Sequence, residues 1–172
     1  MKKIFCLLAT LWLMQISNSF AQNTIKEGVL IVAGGCFWCT ESDFEKHKGV
    51  LHAESGYING STLNPTYKEV SSNQTGHFEA VKITYNKDLV TLRDLVDFYW
   101  YTIDPTDPNG QFCDKGSSYK TPLFYQDEAQ KAGFEDSLAS IKLTKPFDDS
   151  IVTEILEAKQ SYSAEDTHQD SY

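Results

Sequence analysis

The chain lacks an excess of positive charge, because 24 Asp and Glu residues outnumber 15 Lys and Arg residues and give a formal net charge of −9. Such an acidic chain is a poor partner for nucleic acid or for an anionic membrane surface, both of which present phosphate groups. Low-complexity tracts and internal repeats are also missing. We therefore expect one globular domain with no nucleic-acid partner.

An apolar run long enough to cross a bilayer comfortably is missing as well. The N-terminal apolar stretch extends only from Ile4 to about Ile16, and two lysines precede it. Ser19-Phe20-Ala21 then places small residues at the two positions that signal peptidase reads. Residues 1–21 are therefore predicted to be a secretory signal peptide rather than a retained anchor. This predicts a periplasmic or other extracytoplasmic protein without stable membrane insertion.

The predicted mature chain, residues 22–172, lacks an even number of cysteines. Loss of the two N-terminal lysines leaves 13 basic against 24 acidic residues, so its formal net charge is −11. Exported proteins usually pair their cysteines, yet this chain keeps three, namely Cys36, Cys39 and Cys113. At least one of these thiols is therefore free or chemically active.

The most informative segment is Gly34-Gly35-Cys36-Phe37-Trp38-Cys39-Thr40-Glu41, which follows the apolar run 29–33. This order predicts a buried strand that ends in two glycines and delivers Cys36 to the first turn of a helix. Unpaired N–H groups at a helix start stabilise an anion, so we expect Cys36 to form thiolate more readily than a free cysteine. The segment therefore predicts a sulfur nucleophile beside an apolar pocket.

Hydrophobic periodicity and turn signals predict a mixture of strands and helices. The predicted strands are Val29–Ala33, Val50–Ile58, Phe78–Tyr85, Pro122–Tyr125 and, as the last one, Ile151–Glu157. The predicted helices are Cys36–His47, a short segment with Tyr67 and Val70, Thr91–Ile103 and Asp127–Leu143, and residues 104–118 are predicted to form a loop. These elements favour an α/β or α+β layered domain, and their order leaves the strand direction open.

One carboxyl group interrupts an otherwise apolar strand. If Glu79 shares an inward face with Val81 and Ile83, burial should raise its pKa. A carboxyl group that is neutral near pH 7 can donate a proton during catalysis. An edge-strand carboxylate that faces water explains the same pattern equally well.

Other polar residues allow two interpretations each. Tyr67 and Tyr119 lie in turn-rich sequence, where a phenol can hydrogen-bond to a substrate oxygen or simply pack. Asp114 lies in the long loop and either serves a site or forms an Asx turn. His77 and His168 are expected to make structural hydrogen bonds.

Six motifs occur in the order seen in A-type peptide methionine sulfoxide reductases. They are Gly35-Cys36-Phe37-Trp38 with Glu41, Asn64-Pro65-Thr66-Tyr67, Thr75-Gly76-His77-Phe78-Glu79-Ala80-Val81, Asp104-Pro105-Thr106, Asp114-Lys115-Gly116 with Tyr119, and Ala164-Glu165-Asp166 with His168-Gln169. The chain resembles that family over roughly its whole predicted mature length. The first motif alone is a short string, but the ordered set is highly specific.

The resemblance implies one compact α+β domain over residues 22–172, a two-layer sandwich around a mixed sheet. It also implies thiol-dependent reduction of methionine-S-sulfoxide, free or in proteins, and hence repair of oxidised proteins. No bound cofactor or metal is implied, and a thioredoxin-like thiol donor is the expected reductant. A monomer is expected.

The resemblance also assigns roles by motif. These are Cys36 as nucleophile, Glu79 as proton donor to the sulfoxide oxygen, Tyr67 and Tyr119 as hydrogen-bond donors to that oxygen, Phe37 and Trp38 as the site of the substrate methyl group, and Asp114 as a supporting residue. The resulting sulfenic acid on Cys36 can react with a second thiol to form a disulfide. Cys39, one helical turn away, is favoured for this resolving step, and Cys113 is the alternative.

Two other functions fit parts of the sequence. A general dithiol–disulfide oxidoreductase would use Cys36 and Cys39 and would need neither Glu79 nor the tyrosine pair. A zinc-binding module would use the three cysteines with His77 or His168, but zinc ribbons and fingers usually contain two compact ligand pairs and this chain has one.

Overall fold

The computed structural model describes residues 25–171, so the predicted signal peptide lies outside the described residues. The strands are β1 (Glu27–Val32), β2 (Val50–Ile58), β3 (Phe78–Asn86), β4 (Gly110–Gln111), β5 (Asp114–Lys115), β6 (Leu123–Tyr125), β7 (Ile155–Glu157) and β8 (Ser161–Ser163). The helices are α1 (Phe37–Glu45), α2 (Tyr67–Ser71), α3 (Leu92–Tyr99) and α4 (Glu128–Thr144), with 3₁₀ turns at Ser117–Tyr119 and Asp166–His168. Within residues 25–171, no helix combines the length and the apolar character needed to cross a membrane.

Six strands form one mixed sheet in the order β7-β6-β1-β3-β2-β8. β6 and β7 run parallel, and the other neighbouring strands run antiparallel. The central pair β1–β3 has Leu30 opposite Ile83 and Val32 opposite Val81. The mixed sheet and its helices confirm the predicted α+β class.

Alternation along β1 divides the apolar residues between two faces of the sheet. Leu30 and Val32 belong to the larger core, whereas Ile31 and Ala33 belong to a smaller cluster. The larger core also holds the buried apolar residues of helices α1, α3 and α4, which are Phe37, Phe44, Leu95, Val96, Tyr99 and Phe134. The three helices therefore pack on one face, which is the predicted two-layer arrangement.

The C-terminal strands differ from the sequence prediction. Only Ile155–Glu157 of the predicted strand 151–157 pairs, and the last strand is instead β8, beside β2. β8 approaches so closely that a Cβ at Gly56 would lie 2.5 Å from the Tyr162 carbonyl oxygen. Strand β8 therefore joins the edge of the sheet through main-chain pairing at a glycine of β2. A strand of three residues held in this way has no hydrophobic pattern that the sequence analysis could detect.

Two predicted helices are longer than the observed ones. Helix α1 covers Phe37–Glu45, with Cys36 as its N-cap residue. Helix α3 begins after a Thr91–Asp94 capping box and ends at Tyr99. The next residue, Trp100, packs inward and donates its indole N–H to Ser137 Oγ at 2.9 Å. The predicted loop 104–118 contains the small hairpin β4–β5.

Candidate active site

Cys36 lies at the junction between strand β1 and helix α1, as the sequence predicts. Gly35 has a φ of +84°, and a Cβ there would lie 2.5 Å from the Gln111 Cβ atom. A Cβ at Gly34 would lie 2.5 Å from Thr40 Oγ1. The glycine pair therefore permits the tight turn that brings Cys36 to the helix start.

The ionisation of Cys36 differs from the sequence expectation. The main-chain N–H groups of Cys39 and Trp38 lower the pKa of the Cys36 thiol and so favour the thiolate, as expected at a helix start. Burial of the sulfur is the larger effect, and together with the nearby Cys39 and Glu79 it raises the pKa of Cys36 to about 11. The prediction of a readily formed thiolate is therefore wrong for the free protein, which holds Cys36 as a neutral thiol.

Glu79 faces the larger core, beside Cys36. It pairs with Tyr57 across strands β3 and β2, and only 1% of its surface is exposed. Its Oε2 accepts the Phe37 N–H at 3.2 Å, whereas Oε1 is buried without a partner. Burial raises the pKa of Glu79 to about 7, against the lowering effect of the Phe37 N–H. The inward orientation is confirmed, and the water-facing alternative is wrong.

Two tyrosine hydroxyls adjoin this carboxyl group. Tyr67 begins helix α2, and Tyr119 ends a 3₁₀ turn. The two side chains lie close to each other and to Glu79. Burial, followed by the proximity of Glu79, raises the pKa of both phenols, so both remain protonated hydrogen-bond donors at neutral pH.

Aromatic rings form a wall on one side of these polar groups. Trp38 stacks on Tyr67 with ring centroids 5.9 Å apart, and Phe37 stacks on Tyr67 at 6.0 Å. The His168 ring lies 4.3 Å from Tyr67 and 5.6 Å from Trp38. The structure thus brings the predicted apolar residues together with Tyr67 and adds His168, which the sequence did not place there.

The two histidines differ in their bonding. His77 is structural, as predicted, because its ring accepts the Gly60 N–H at 3.0 Å and lies 2.8 Å from the Thr62 carbonyl oxygen. His168 Nδ1, in contrast, is buried without a partner. The predicted structural hydrogen bond of His168 is therefore absent at this atom, and its ring packs into the aromatic wall instead.

All three cysteines of the described chain line one cavity of about 350 Å³, and Asp114 lines it too. Cys36 is partly buried, whereas Cys39 and Cys113 are exposed. The Cys39 thiol lies close enough to raise the pKa of Cys36. Both candidate resolving thiols thus open onto the same space as the candidate nucleophile.

A model of the peptide methionine sulfoxide reductase family matches residues 28–172. The chain belongs to this family. A peptide methionine sulfoxide reductase of Bacillus licheniformis is 48% identical over 145 residues, covering 84% of this chain and 80% of that protein. The Bacillus subtilis protein of the same name is 45% identical over 147 residues, covering 86% and 83%.

Solved structures agree with this assignment. Mxr1 of Saccharomyces cerevisiae in its reduced form has a TM-score of 0.79 and 30% identity, covering 87% of this chain and 88% of that one. Methionine sulfoxide reductase A of Corynebacterium diphtheriae has a TM-score of 0.73 and 28% identity, covering 84% and 73%. The chain is therefore an oxidoreductase of this family with its α+β fold, as the resemblance implies.

The zinc-module hypothesis requires ligands that this reductase does not bring together. Within residues 25–171, one group of potential ligands has its atoms within 4.8 Å of one another, and it consists of Glu41, Glu45 and Asp170. It contains no cysteine or histidine. The three thiols instead line one cavity, and Cys36, the candidate nucleophile among them, lies near Glu79.

Sequence reasoning missed how the C-terminal segment holds the site of this reductase. Glu165 accepts the Tyr67 N–H at 2.9 Å and the Tyr57 hydroxyl at 2.7 Å. Glu41 is buried in helix α1, where its carboxylate accepts the Ser55 hydroxyl and the Asp170 N–H. Glu41 and Glu165 both lie within the six family motifs described from the sequence. Their place in those motifs is the signal from which a structural role at the site could have been predicted.

Proposed function

We propose that this reductase acts on methionine-S-sulfoxide, with Cys36 as nucleophile and Glu79 as proton donor. The observation that carries the proposal is the buried Glu79 carboxyl group, bound to the main chain of Phe37 beside Cys36 and raised in pKa to about 7. A sulfoxide oxygen leaves poorly unless it is protonated as the sulfur is attacked. A carboxyl group that stays partly protonated near pH 7 meets that need.

The first half-reaction balances without an external proton. The Cys36 sulfur bonds to the sulfoxide sulfur while Glu79 gives its proton to the oxygen. The protonated oxygen then passes to the Cys36 sulfur as a hydroxyl group while the S–O bond to methionine and the new S–S bond both break, so methionine leaves and Cys36 carries a sulfenic acid. The thiol proton of Cys36 returns Glu79 to its acid form, so one thiol and one sulfoxide become one sulfenic acid and one methionine.

The hydroxyls of Tyr67 and Tyr119 assist by hydrogen-bonding to the same oxygen. Both are neutral donors that lie near Glu79. Preorganised donors in a water-poor site typically contribute a few kcal/mol each to a transition state. Asp114, whose charge helps to raise the pKa of Glu79, supports the protonated carboxyl group.

The aromatic wall locates the part of the substrate that cannot form hydrogen bonds. An S-methyl group packs on the faces of Phe37 and Trp38, while the oxygen lies among the hydroxyls. With oxygen, methyl group and attacking sulfur each assigned a place, the handedness of the sulfoxide sulfur is fixed. This arrangement supports selectivity for one epimer.

We propose Cys39 as the resolving thiol. It lies three residues after Cys36 at the start of helix α1, and its thiol is near enough to affect the pKa of Cys36. Its attack on the sulfenic acid forms a disulfide and releases water. A thioredoxin-like dithiol then reduces this disulfide to two thiols by supplying two electrons and two protons, and is itself oxidised to a disulfide.

The direct test is the Cys36→Ser variant in reaction with methionine sulfoxide. We expect no methionine above background, because a serine hydroxyl cannot form the sulfenic acid. Cys113→Ser provides a matched control that removes a thiol from the same cavity. Full activity of Cys36→Ser would overturn the proposal at its first step.

Export remains a separate proposal. The positive start, the short apolar stretch and the small residues of segment 1–21 support cleavage after Ala21 and an extracytoplasmic location. N-terminal sequencing of the protein from fractionated cells tests this, and an intact Met1 in the cytoplasmic fraction would contradict it. A monomer is also proposed, and light scattering of the purified protein is the measurement that tests it.

A further inference from the structure

Two aromatic side chains extend into solvent at the cavity that holds the three thiols. Tyr101 is 85% exposed and Phe112 is 71% exposed, and both line the cavity together with Cys39 and Cys113. Neither ring belongs to the wall formed by Phe37, Trp38, Tyr67 and His168. The proposed reaction with the sulfoxide leaves both rings without a role.

The position of Phe112 is costly for folding. It lies in the two-residue turn between strands β4 and β5, directly before Cys113, and its φ is +46°. A residue with a side chain in this left-handed region is strained, which costs folding free energy. An exposed ring cannot offset that cost by burial within the chain. Exposed aromatic groups beside a reactive group are typical of a contact with another molecule.

We propose that Tyr101 and Phe112 form the docking surface for the protein dithiol that reduces this enzyme. This inference rests on the proposed function, because a disulfide between Cys36 and another thiol of the cavity has to be opened from outside. An incoming thiol must approach through the space that these two rings border. The surface therefore belongs to the reductant rather than to the oxidised substrate.

The exchange at this surface balances in atoms and electrons. A thiolate of the partner attacks the exposed sulfur, Cys39 in the proposed disulfide, and Cys36 departs as the free thiol after taking up a proton. The second thiol of the partner then attacks the mixed disulfide and releases Cys39. The partner leaves as a disulfide, having supplied two electrons.

The cavity lining also restricts the partner. Its charged side chains are Asp43 and Asp114, and the lining contains no Lys or Arg. A partner with acidic groups around its thiol would be repelled, whereas apolar and neutral groups would pack on the two rings. The chemistry that fits is a dithiol protein with an apolar surface around its reactive cysteine.

The test compares a protein reductant with a small one. Turnover is measured with thioredoxin, kept reduced by NADPH and thioredoxin reductase, and separately with dithiothreitol. The variants are Tyr101→Ser and Phe112→Asn, the latter because asparagine tolerates a positive φ. Leu143→Ser in helix α4 is the matched control, since Leu143 is 88% exposed and does not line the cavity.

We expect each cavity variant to raise the KM for thioredoxin at least about 5-fold, and the double variant to raise it about 30-fold, as for residues central to an interface. Turnover with dithiothreitol should stay unchanged, and Leu143→Ser should match the wild type. An unchanged KM in the double variant would overturn the inference. An equal loss with dithiothreitol would also overturn it, because the rings would then serve the site itself.

Failure of the proposed function gives a different result. In that case the reduced wild-type protein forms no methionine in a single turnover, before any reductant is needed. Methionine formation with an unaltered thioredoxin KM would therefore reject the docking surface alone.

Discussion

The main-chain N–H of Phe37 donates a hydrogen bond to Glu79 Oε2 at 3.2 Å, joining residues 42 positions apart. This bond links the first turn of helix α1 to strand β3, so the residue after the nucleophile holds the carboxyl group in place. The other carboxyl oxygen, Oε1, is buried without a partner. That oxygen is the one available to carry the proton that the sulfoxide needs.

Replacing Glu79 by glutamine should remove proton donation while keeping the acceptor for the Phe37 N–H. We expect the single-turnover rate of methionine formation to fall about 10²- to 10⁴-fold, the usual contribution of general acid catalysis. Rapid-quench measurement with the reduced protein gives this rate. Glu135→Gln, on the exposed surface of helix α4, serves as control and should match the wild type. An undiminished rate in Glu79→Gln would show that Glu79 does not donate the proton.

The same carboxyl group should make stability depend on pH. The pKa of Glu79 is raised from its ordinary 4.5 to about 7 in the folded protein, so the folded state favours the protonated form. Its contribution is fully present below pH 4.5 and is lost as the pH rises through about 7, by up to about 3 kcal/mol. Glu79→Gln lacks this ionisation.

Urea unfolding of both proteins at pH 4.5 and pH 8 measures this effect. Relative to the wild type, Glu79→Gln should become more stable by up to about 3 kcal/mol on going from pH 4.5 to pH 8. A stability difference that stays constant over this range would show that Glu79 titrates normally in the folded protein.

The resolving thiol can be identified by counting thiols after one turnover. Cys113→Ser should still form methionine and lose two titratable thiols, because Cys39 resolves the sulfenic acid. Cys39→Ser should form the same methionine yet keep its sulfenic acid, which dimedone traps on Cys36. The reverse pattern would assign the resolving role to Cys113, the other thiol exposed to this cavity.

The local signals in the sequence were sufficient for the elements that build the site. The bounds of strand β2 agree with the prediction, and Glu79 alternates with Val81 and Ile83 as expected. The pattern favoured neither a core-facing nor a water-facing Glu79. Alternation defines the two faces of a strand but does not show which face is covered. Helix packing on one face of the sheet decides that question.

Other features depend on contacts that local patterns do not encode. The pKa of Cys36 is set by burial, which outweighs the two helix N–H groups, and burial follows only from the packed fold. Strand β8 depends on the lack of a side chain at Gly56 in its neighbour β2, which is distant from it in the sequence. The place of His168 against Tyr67 depends on Glu165, which bonds to the main chain of Tyr67 across 98 positions.

The central claim is that Cys36 reduces one sulfoxide epimer before any external reductant acts. Reduced protein without its predicted signal peptide is mixed with racemic methionine sulfoxide in the absence of reductant. Methionine, residual epimers and free thiols are then measured together. The account predicts about one methionine per chain, loss of the S epimer alone and loss of two thiols. Absence of methionine, or equal loss of both epimers, would contradict it.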